Sequence, residues 1–411
     1  MTRKGVWNLQ QVRDKYLQSL WVDSTGLWAW GGQFDDDRGI LGQNDGANNT
    51  SVSSPVQVGS DDEGWQVSGG NASNNRNSAS ISTMYSIKTD GTLWAWGGNV
   101  AGVLGINAGH PSHRRSSPTQ VPGTTWATMA NCNMTTASIK TDGTLWVWGA
   151  NENGQLGLNQ PGAWVDPRRS SPTQIGSDTT WTAVSGGSNH WLARKSDGTL
   201  WSWGENGSGQ CGQSSTIPDN NGLSSPAQIP GTTWTNNITG AQNSSFAIKT
   251  DGTLWGWGFN YEGQLGQNNT TSYSSPKQLG AGTDWALVGK NAVYSRSLMA
   301  IKTDGSLWMS GNNATGGLAQ NNETQYSSPI QVPGTWSTTI QPVVVRYGRR
   351  AMAIKSDNTL WAWGQNEYGP LGQNNLTDYS SPVQIPGVWA DVASSGRSSF
   401  GIRKGLTPSQ L

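Results

Sequence analysis

A tryptophan-rich motif, Leu-Trp-x-Trp-Gly, recurs seven times in this sequence of 411 residues and constrains the fold more than any other feature. Successive copies are 52 to 66 residues apart, and most of the steps are close to 53. Each copy is followed by a Gly-x-Leu-Gly-like element, then by Ser-Ser-Pro, and then by a third tryptophan. The sixth copy is degenerate, because Ser310 replaces its second tryptophan. These positions account for 20 of the 24 tryptophans, which indicates that they are framework residues. The first tryptophans of the seven copies are Trp28, Trp94, Trp146, Trp201, Trp255, Trp308 and Trp361.

The local pattern of each repeat predicts β-strands joined by tight turns. Asp90-Gly91 is a strong hairpin signal, and apolar and polar residues alternate on both sides of it. Trp94 and Trp96 are two residues apart and share one face of a strand, whereas Leu93 points to the other face. A unit of about 53 residues with two apolar sheet faces must stack on copies of itself to bury them. Seven copies in a ring predict an all-β, seven-bladed β-propeller.

The repeat resembles that of the regulator of chromosome condensation family. The fourth copy carries the resemblance most clearly, with Val184-Ser185-Gly186-Gly187-Ser188-Asn189-His190-Trp191, then Asp197-Gly198-Thr199-Leu200-Trp201-Ser202-Trp203-Gly204, then Gly209-Gln210-Cys211-Gly212. The resemblance covers residues 21–404 and implies the seven-bladed propeller of that family. It says less about function, since one scaffold serves many partners. It also suggests a division into residues 1–20, a propeller of residues 21–404 and a tail of residues 405–411.

The two ends of the sequence predict how the ring closes. Residues 389–404 form a good first half of a repeat and stop where Leu-Trp-x-Trp-Gly should begin. We therefore expect this half-repeat to pair with the N-terminal blade, which would hide sheet edges that invite aggregation. Residues 1–20 are then either an imperfect half-repeat or an attachment arm, and the opening of the chain also resembles short openings of bacteriophage tail-fibre and particle proteins. The candidate arm residues are Trp7, Leu9, Val12 and Tyr16.

Composition excludes several classes of function. The chain has 26 basic and 26 acidic residues, and a neutral chain with only 13% charged residues is poorly suited to neutralise nucleic-acid phosphates. It has no apolar run of 18 residues, so we expect no membrane insertion. Cys132 and Cys211 cannot form a disulfide framework. Neither a cofactor motif nor a spaced set of metal ligands is present, and we find no carboxylate pair that would support a glycosidase, so the sequence predicts no cofactor, no metal and no enzyme.

The candidate binding residues lie in the loops before Ser-Ser-Pro, which occupy equivalent places in the blades and should gather on one side of the ring. Repeats two and three carry arginine pairs in these loops, and arginine is enriched at contact surfaces. Later repeats carry Gln-Asn-Asn followed by tyrosine, which suits glycan or polar protein contacts, although the tyrosines could instead cap their own blades. The candidates are His113, Arg114, Arg115, Arg168, Arg169, Tyr273, Tyr326 and Tyr379.

These observations predict a non-enzymatic structural or binding propeller, with a bacteriophage virion component as the main interpretation. Its expected partners are other virion proteins or a host surface protein or glycan, contacted through several loops at once and in several copies per assembly. A bacterial surface adhesin or lectin-like protein is one alternative. Another is an adaptor or nucleotide-exchange factor for a small GTPase, as the resemblance to the founding family member implies. No long wedge insertion and no basic tail support that second alternative in the sequence itself.

Overall fold

The computed structural model describes residues 26–32, 39–44, 51–59, 64–72, 82–108, 114–160, 168–214, 222–291, 295–345, 348–395 and 397–404. Within these ranges the chain forms strands and turns, with a single turn of 3₁₀ helix at Val100–Gly102. The strands make seven antiparallel blades around a common centre. The predicted seven-bladed propeller is therefore confirmed. Residues 1–20 and 405–411, including the arm candidates Trp7, Leu9, Val12 and Tyr16, lie outside the described residues, and that division of the chain stays a prediction.

Blades are numbered here by their Leu-Trp-x-Trp-Gly motifs, and strands by their order in the chain. The strands from the start of the described chain to the end of blade four are β1 (Leu27–Gly31), β2 (Val52–Val58), β3 (Trp65–Ala72), β4 (Ser82–Lys88), β5 (Leu93–Gly97), β6 (Arg115–Gln120), β7 (Trp126–Cys132), β8 (Thr135–Lys140), β9 (Leu145–Gly149), β10 (Arg169–Gln174), β11 (Trp181–Gly186), β12 (His190–Lys195), β13 (Leu200–Gly204) and β14 (Leu223–Ile229). The strands that follow are β15 (Trp234–Gly240), β16 (Ser244–Lys249), β17 (Leu254–Gly258), β18 (Tyr273–Gln278), β19 (Trp285–Val288), β20 (Lys290–Asn291), β21 (Ser297–Lys302), β22 (Leu307–Gly311), β23 (Tyr326–Val332), β24 (Val343–Val345), β25 (Arg350–Ile354), β26 (Thr359–Gly364), β27 (Tyr379–Ser395) and β28 (Ser398–Arg403).

Each blade runs from an inner to an outer strand in chain order. The strand after each Ser-Ser-Pro segment packs against the corresponding strands of the two neighbouring blades, so these strands line the centre of the ring. The strand that contains Ser-Ser-Pro is the fourth of its sheet and lies at the periphery. The first-to-second and third-to-fourth connections consequently emerge on one face of the ring, which we call the loop face. The Asp-Gly turns lie on the opposite face, which we call the turn face.

The ring closes in blade one, as the sequence predicts. The long strand β27 begins as the outer strand of blade seven and ends as the inner strand of blade one. Strand β28 pairs with β27 on one side and with β1 on the other, so that Ile402 is opposite Leu27 and Ser398 is opposite Gly31. The C-terminal half-repeat therefore supplies the two inner strands of the N-terminal blade.

The second tryptophan of each motif joins neighbouring blades. Its buried indole Nε1 donates to a backbone carbonyl in the Gly-x-Leu-Gly element of the preceding blade, at 2.7 to 3.1 Å. In the degenerate sixth motif the Ser310 hydroxyl donates to the Gln264 carbonyl at 3.3 Å and preserves the junction. The bond of Trp30 to the Pro370 carbonyl connects the two ends of the chain. Burial of both partners makes each such bond costly to lose.

A second link between blades involves a residue with positive φ just after each Gly-x-Leu-Gly element. Its N–H donates to the carbonyl of the first Ser-Ser-Pro serine in the next blade, at 2.8 to 2.9 Å, and its side chain bonds a serine of the same segment. The φ values are 54° to 59°, in the left-handed region that asparagine tolerates better than most residues. The seven residues are Asn44, Asn107, Asn159, Ser214, Asn268, Asn321 and Asn374.

The first tryptophan of each motif and the tryptophan that follows Ser-Ser-Pro together hold a cation on the turn face of each blade. In blade three, Lys140 Nζ lies 4.8 Å from the Trp126 ring centroid and 4.2 Å from that of Trp146, and the other blades repeat this arrangement. Cation–π contacts of this kind are worth about 0.5–1 kcal/mol each at exposed sites. The seven cations are Lys88, Lys140, Lys195, Lys249, Lys302, Lys355 and, in blade one, Arg403.

Candidate functional site

The rim of the loop face carries both groups of contact candidates at one structural position. The first residue of each outer strand lies opposite the glycine of Leu-Trp-x-Trp-Gly, and it immediately precedes Ser-Ser-Pro in the sequence. The arginine pairs and the tyrosine series, which look like separate features in the sequence, therefore belong to one ring of equivalent positions. In order of blades these residues are Val52, Arg115, Arg169, Leu223, Tyr273, Tyr326 and Tyr379.

The arginine candidates lie on neighbouring blades at this rim. Arg115 and Arg169 are half-buried, and the Nη1 of each donates to the carbonyl of the preceding arginine, at 3.1 and 3.2 Å. Arg169 Nη2 also donates to the Gln160 side chain at 3.3 Å. Arg114 is half-buried, whereas Arg168 is exposed. His113 lies outside the described residues. The structure thus places two arginine pairs at equivalent positions, and a binding role for them stays a prediction.

The tyrosine candidates bond to the turns of their own blades. In blade five, Asn269 Nδ2 donates to the Tyr273 hydroxyl at 3.2 Å and also to the Gln267 carbonyl. Blades six and seven repeat the bond between Asn322 and Tyr326 and between Asn375 and Tyr379. The three rings are half-buried, so each tyrosine stabilises its Gln-Asn-Asn turn and keeps part of its surface at the rim. Whether that surface contacts a partner stays a prediction.

Sequence reasoning missed a second set of arginines, which lies nearer the centre of the loop face. Arg296, Arg349 and Arg397 occupy the same position in the first-to-second strand connections of blades six, seven and one. Each is six residues before the cation at or directly after the end of the second strand, which is a signal that alignment of the repeats could have revealed. Their backbone carbonyls accept bonds from the residues after the third strand, at 2.8 to 3.1 Å, which fixes the three connections in the same geometry.

Three buried titratable groups, His190, Cys132 and Cys211, lie in the interior of blades three and four. The His190 side chain is fully buried in blade four, and its Nε2 is 2.9 Å from Ser245 Oγ. Burial lowers the pKa of His190 to about 3, so the ring is neutral near pH 7. Burial also raises the pKa of the Cys132 and Cys211 thiols, and both thiols are free. Among the described residues no group of three or more His, Cys, Asp or Glu side chains could hold a metal ion, and no described helix is long and apolar enough to cross a bilayer.

Four segments of the chain match a known family of repeats. Residues 142–194, 197–248, 251–287 and 357–402 match the family model of the regulator of chromosome condensation (RCC1) repeat. The chain contains RCC1 repeats. It is 25% identical to the ultraviolet-B receptor UVR8 of Arabidopsis thaliana, over 75% of this chain and 69% of that protein. It is also 25% identical to the mitochondrial RCC1 domain-containing protein RUG3 of the same plant, over 76% of this chain and 75% of that protein.

The fold has close counterparts among solved structures. The crystal structure of Prp20p from Saccharomyces cerevisiae, reported with its binding to Gsp1p and histones, superposes with a TM-score of 0.74. The match covers 98% of this chain and 97% of that one at 16% sequence identity, so it shows the shared RCC1-type propeller fold.

These comparisons overturn three predictions. The interpretation of the chain as a bacteriophage virion component is wrong, because the relatives found are RCC1-repeat proteins of plants, yeast and animals. The expected virion partners and host-surface contacts are wrong for the same reason, as is the expected location in a virion or on a bacterial surface. The likeness to phage proteins covers about a dozen residues at the start of the chain, whereas the RCC1-like repeats span residues 21–404.

Proposed function

We propose that this chain is a non-enzymatic propeller that binds a protein partner through its loop face, as an adaptor or as an exchange factor for a small GTPase. The observation that carries the proposal is a contrast between the junctions and the rim. Every junction repeats the same two links between blades, whereas the rim position carries valine, arginine, leucine or tyrosine. A rigid frame with variable side chains at equivalent positions suits recognition of a protein surface, since ordering the frame costs nothing further on binding.

The relatives support this class of function. Prp20p is similar in fold along nearly its whole length, and its reported partners are the proteins Gsp1p and histones. The arginine candidates add a second line of support, because arginine is enriched at protein interfaces and the four candidates lie on two adjacent blades. The buried position of His190 gives it no access to a substrate, which agrees with a binding role.

The test uses the full-length chain with yeast Gsp1p and with histones as probes. Gsp1p loaded with a fluorescent guanine nucleotide reports release, and surface plasmon resonance reports binding of each probe. Binding with faster nucleotide release would identify an exchange factor, and binding without release would identify an adaptor. If the chain binds neither Gsp1p nor histones at micromolar concentration, the proposed partner class is wrong.

A variant at the rim tests the proposed surface. Replacing Arg114, Arg115, Arg168 and Arg169 by alanine should weaken partner binding at least tenfold while leaving the melting temperature within about 2 °C. The control replaces the two exposed cations Lys277 and Lys404 by alanine, and it is compared charge for charge with the double variant Arg114→Ala/Arg168→Ala on the rim of blades two and three. An equal loss in both variants would indicate a general charge effect rather than recognition at the rim.

A further inference from the structure

The residue directly before the turn-face cation is an isoleucine in six of the seven blades. Each of these isoleucines is buried, and each belongs to the same hydrophobic cluster as the tryptophan at the start of the next blade. This position therefore fills the junction between neighbouring blades with apolar surface. The six pairs are Ile402 with Trp65, Ile87 with Trp126, Ile139 with Trp181, Ile248 with Trp285, Ile301 with Trp336 and Ile354 with Trp389.

Blade four carries Arg194 at this position. The Arg194 side chain is half-buried, and its Nε donates to the Trp234 carbonyl at 2.8 Å. Its Nη1 donates to Thr182 Oγ1 at 3.1 Å and to Asn236 Oδ1 at 3.2 Å. Thr182 lies in β11 of blade four and Asn236 in β15 of blade five, so the guanidinium joins two inner strands near the turn face. An isoleucine would bury more apolar surface here, so packing alone does not account for the arginine.

Two nitrogens of this network make no hydrogen bond to any described residue. They are Arg194 Nη2 and Asn236 Nδ2. The Asn236 amide has a fixed orientation, because its Oδ1 accepts from Arg194 Nη1 and is 3.0 Å from the Thr182 hydroxyl. Neither nitrogen is among the buried polar atoms that lack a partner, so both are in contact with solvent. The network therefore presents N–H donors from two side chains, held in place before any ligand binds.

The charge of Arg194 is not neutralised by an ion pair in the described part of the chain. The neighbouring Lys195 differs, since its Nζ lies 2.5 Å from Asp178 Oδ2. The other nearby acid is Asp197, whose Oδ1 accepts from the Thr199 N–H and hydroxyl at 2.9 and 2.7 Å. These hydrogen bonds lower the pKa of Asp197, and Lys195 and Arg194 lower it further at longer range. The site around Arg194 thus keeps one positive charge.

We propose that Arg194 Nη2 and Asn236 Nδ2 bind the carboxylate of an acidic side chain of a protein partner. A carboxylate fits because it has two acceptor oxygens, one for each nitrogen, and a single negative charge that matches the single cation. A phosphate group carries about two negative charges near pH 7 and would leave one of them uncompensated here. The site lies near the turn face, opposite the loop face, so the inference goes beyond the proposed function.

The experiment measures binding of a fluorescein-labelled peptide of alternating Glu and Gly to the full-length chain by fluorescence anisotropy. The control peptide has the same length with Gln in place of Glu. We expect the acidic peptide to bind about tenfold more tightly than the control, because hydrogen bonds to a charged acceptor are stronger than those to a neutral one. Failure of the wild-type chain to distinguish the two peptides would overturn the proposal.

The decisive variant is Arg194→Ile, which installs the residue that the other six blades carry. It should lose about tenfold in affinity for the acidic peptide, yet its melting temperature should stay the same or rise, because isoleucine packs against Trp234. Arg194→Lys should lose part of the affinity, since it keeps the charge but not the planar donor geometry. Asn236→Asp should also lose affinity, because it places a carboxylate of the protein itself beside the guanidinium.

The matched control is Lys277→Ala, which removes one positive charge from an exposed site in the outer strand of blade five. An equal loss of affinity in this control would overturn the proposal, because it would indicate a general charge effect. Wild-type affinity in Arg194→Ile together with a lower melting temperature would also overturn it and assign the arginine a purely structural role. If Arg194→Ile does not fold, wild-type affinity in Asn236→Asp would overturn the proposal instead. Tighter, Arg194-dependent binding of a phosphoserine peptide would overturn it in favour of phosphate.

Discussion

Burial of His190 predicts a specific loss of stability in mild acid. Ser245 Oγ donates to the Gln210 carbonyl at 2.8 Å, so it accepts from His190, and the imidazole must carry its proton on Nε2. Protonating the other nitrogen would place a charge in a site with no exposure to solvent. The pKa of His190 is consequently lowered to about 3 in the folded protein, against about 6.5 when unfolded.

The sign and size of the effect follow from proton linkage. A histidine with a lowered folded pKa is neutral in the native state and becomes protonated first in the unfolded state, so stability falls as the pH drops below 6.5 and continues to fall until about pH 3. At pH 4.5, which is two units below the unfolded pKa, His190 is protonated in the unfolded chain but still neutral in the native state. At 1.36 kcal/mol per unit, His190 should lower the free energy of unfolding by about 2.7 kcal/mol between pH 7 and pH 4.5.

Urea unfolding followed by tryptophan fluorescence measures this loss. The variant His190→Gln keeps a donor that can reach Ser245 Oγ and does not titrate. It should be destabilised at pH 7 by the imperfect fit, yet its free energy of unfolding should fall about 2.7 kcal/mol less than that of the wild type on going to pH 4.5. Contributions of other groups cancel in this difference. If the wild type and the variant lose the same amount, the buried neutral imidazole is not the acid-sensitive group.

Three further predictions concern the frame. Trp30→Phe should lower the free energy of unfolding by about 1–3 kcal/mol, because a buried carbonyl loses its donor, and Trp257→Phe should lose a similar amount by urea titration; a negligible loss at Trp30 would argue against a closed ring. Asn107→Ala should cost about 1–2 kcal/mol through the positive φ and the lost side-chain bond, and Asn107→Gly should cost less in thermal melts. Cys132 and Cys211 should react with a thiol reagent only as fast as the protein opens, so rapid labelling of the native protein would contradict their burial.

The sequence was a good guide to the frame because the frame is repetitive. Each copy of the motif repeats the same hairpin and the same buried tryptophan, so seven weak signals support one architecture, and the half-repeat after Trp389 leaves one place for the ring to close. Even the degenerate sixth motif fits, since Ser310 keeps the bond that the missing tryptophan would make. The junction asparagines were not foreseen, because their role depends on a left-handed backbone that the repeat pattern does not reveal.

The surface was harder to predict for the opposite reason. Arg115 and Tyr273 look unrelated in sequence, and only strand register shows that they share one position. Arg349 and Arg397 are separated by 48 residues in the chain, and they line one small pocket only because two blades pack together. The partner could not be inferred from the frame, because the residues that stabilise the propeller do not determine what its loops bind.

The pairing of β1 with β28 also sets the order in which the molecule can be completed. Leu27 can pair with Ile402 only after Ile402 has been synthesised, 375 residues later. At about 5–20 residues per second, that interval is roughly 20–75 seconds. During synthesis the first blade therefore carries an open edge with unsatisfied backbone groups, while blades two to six can already stack on one another. A nascent chain would therefore be most exposed to chaperone binding or proteolytic cleavage at its N-terminal blade, which is the blade that later closes the ring.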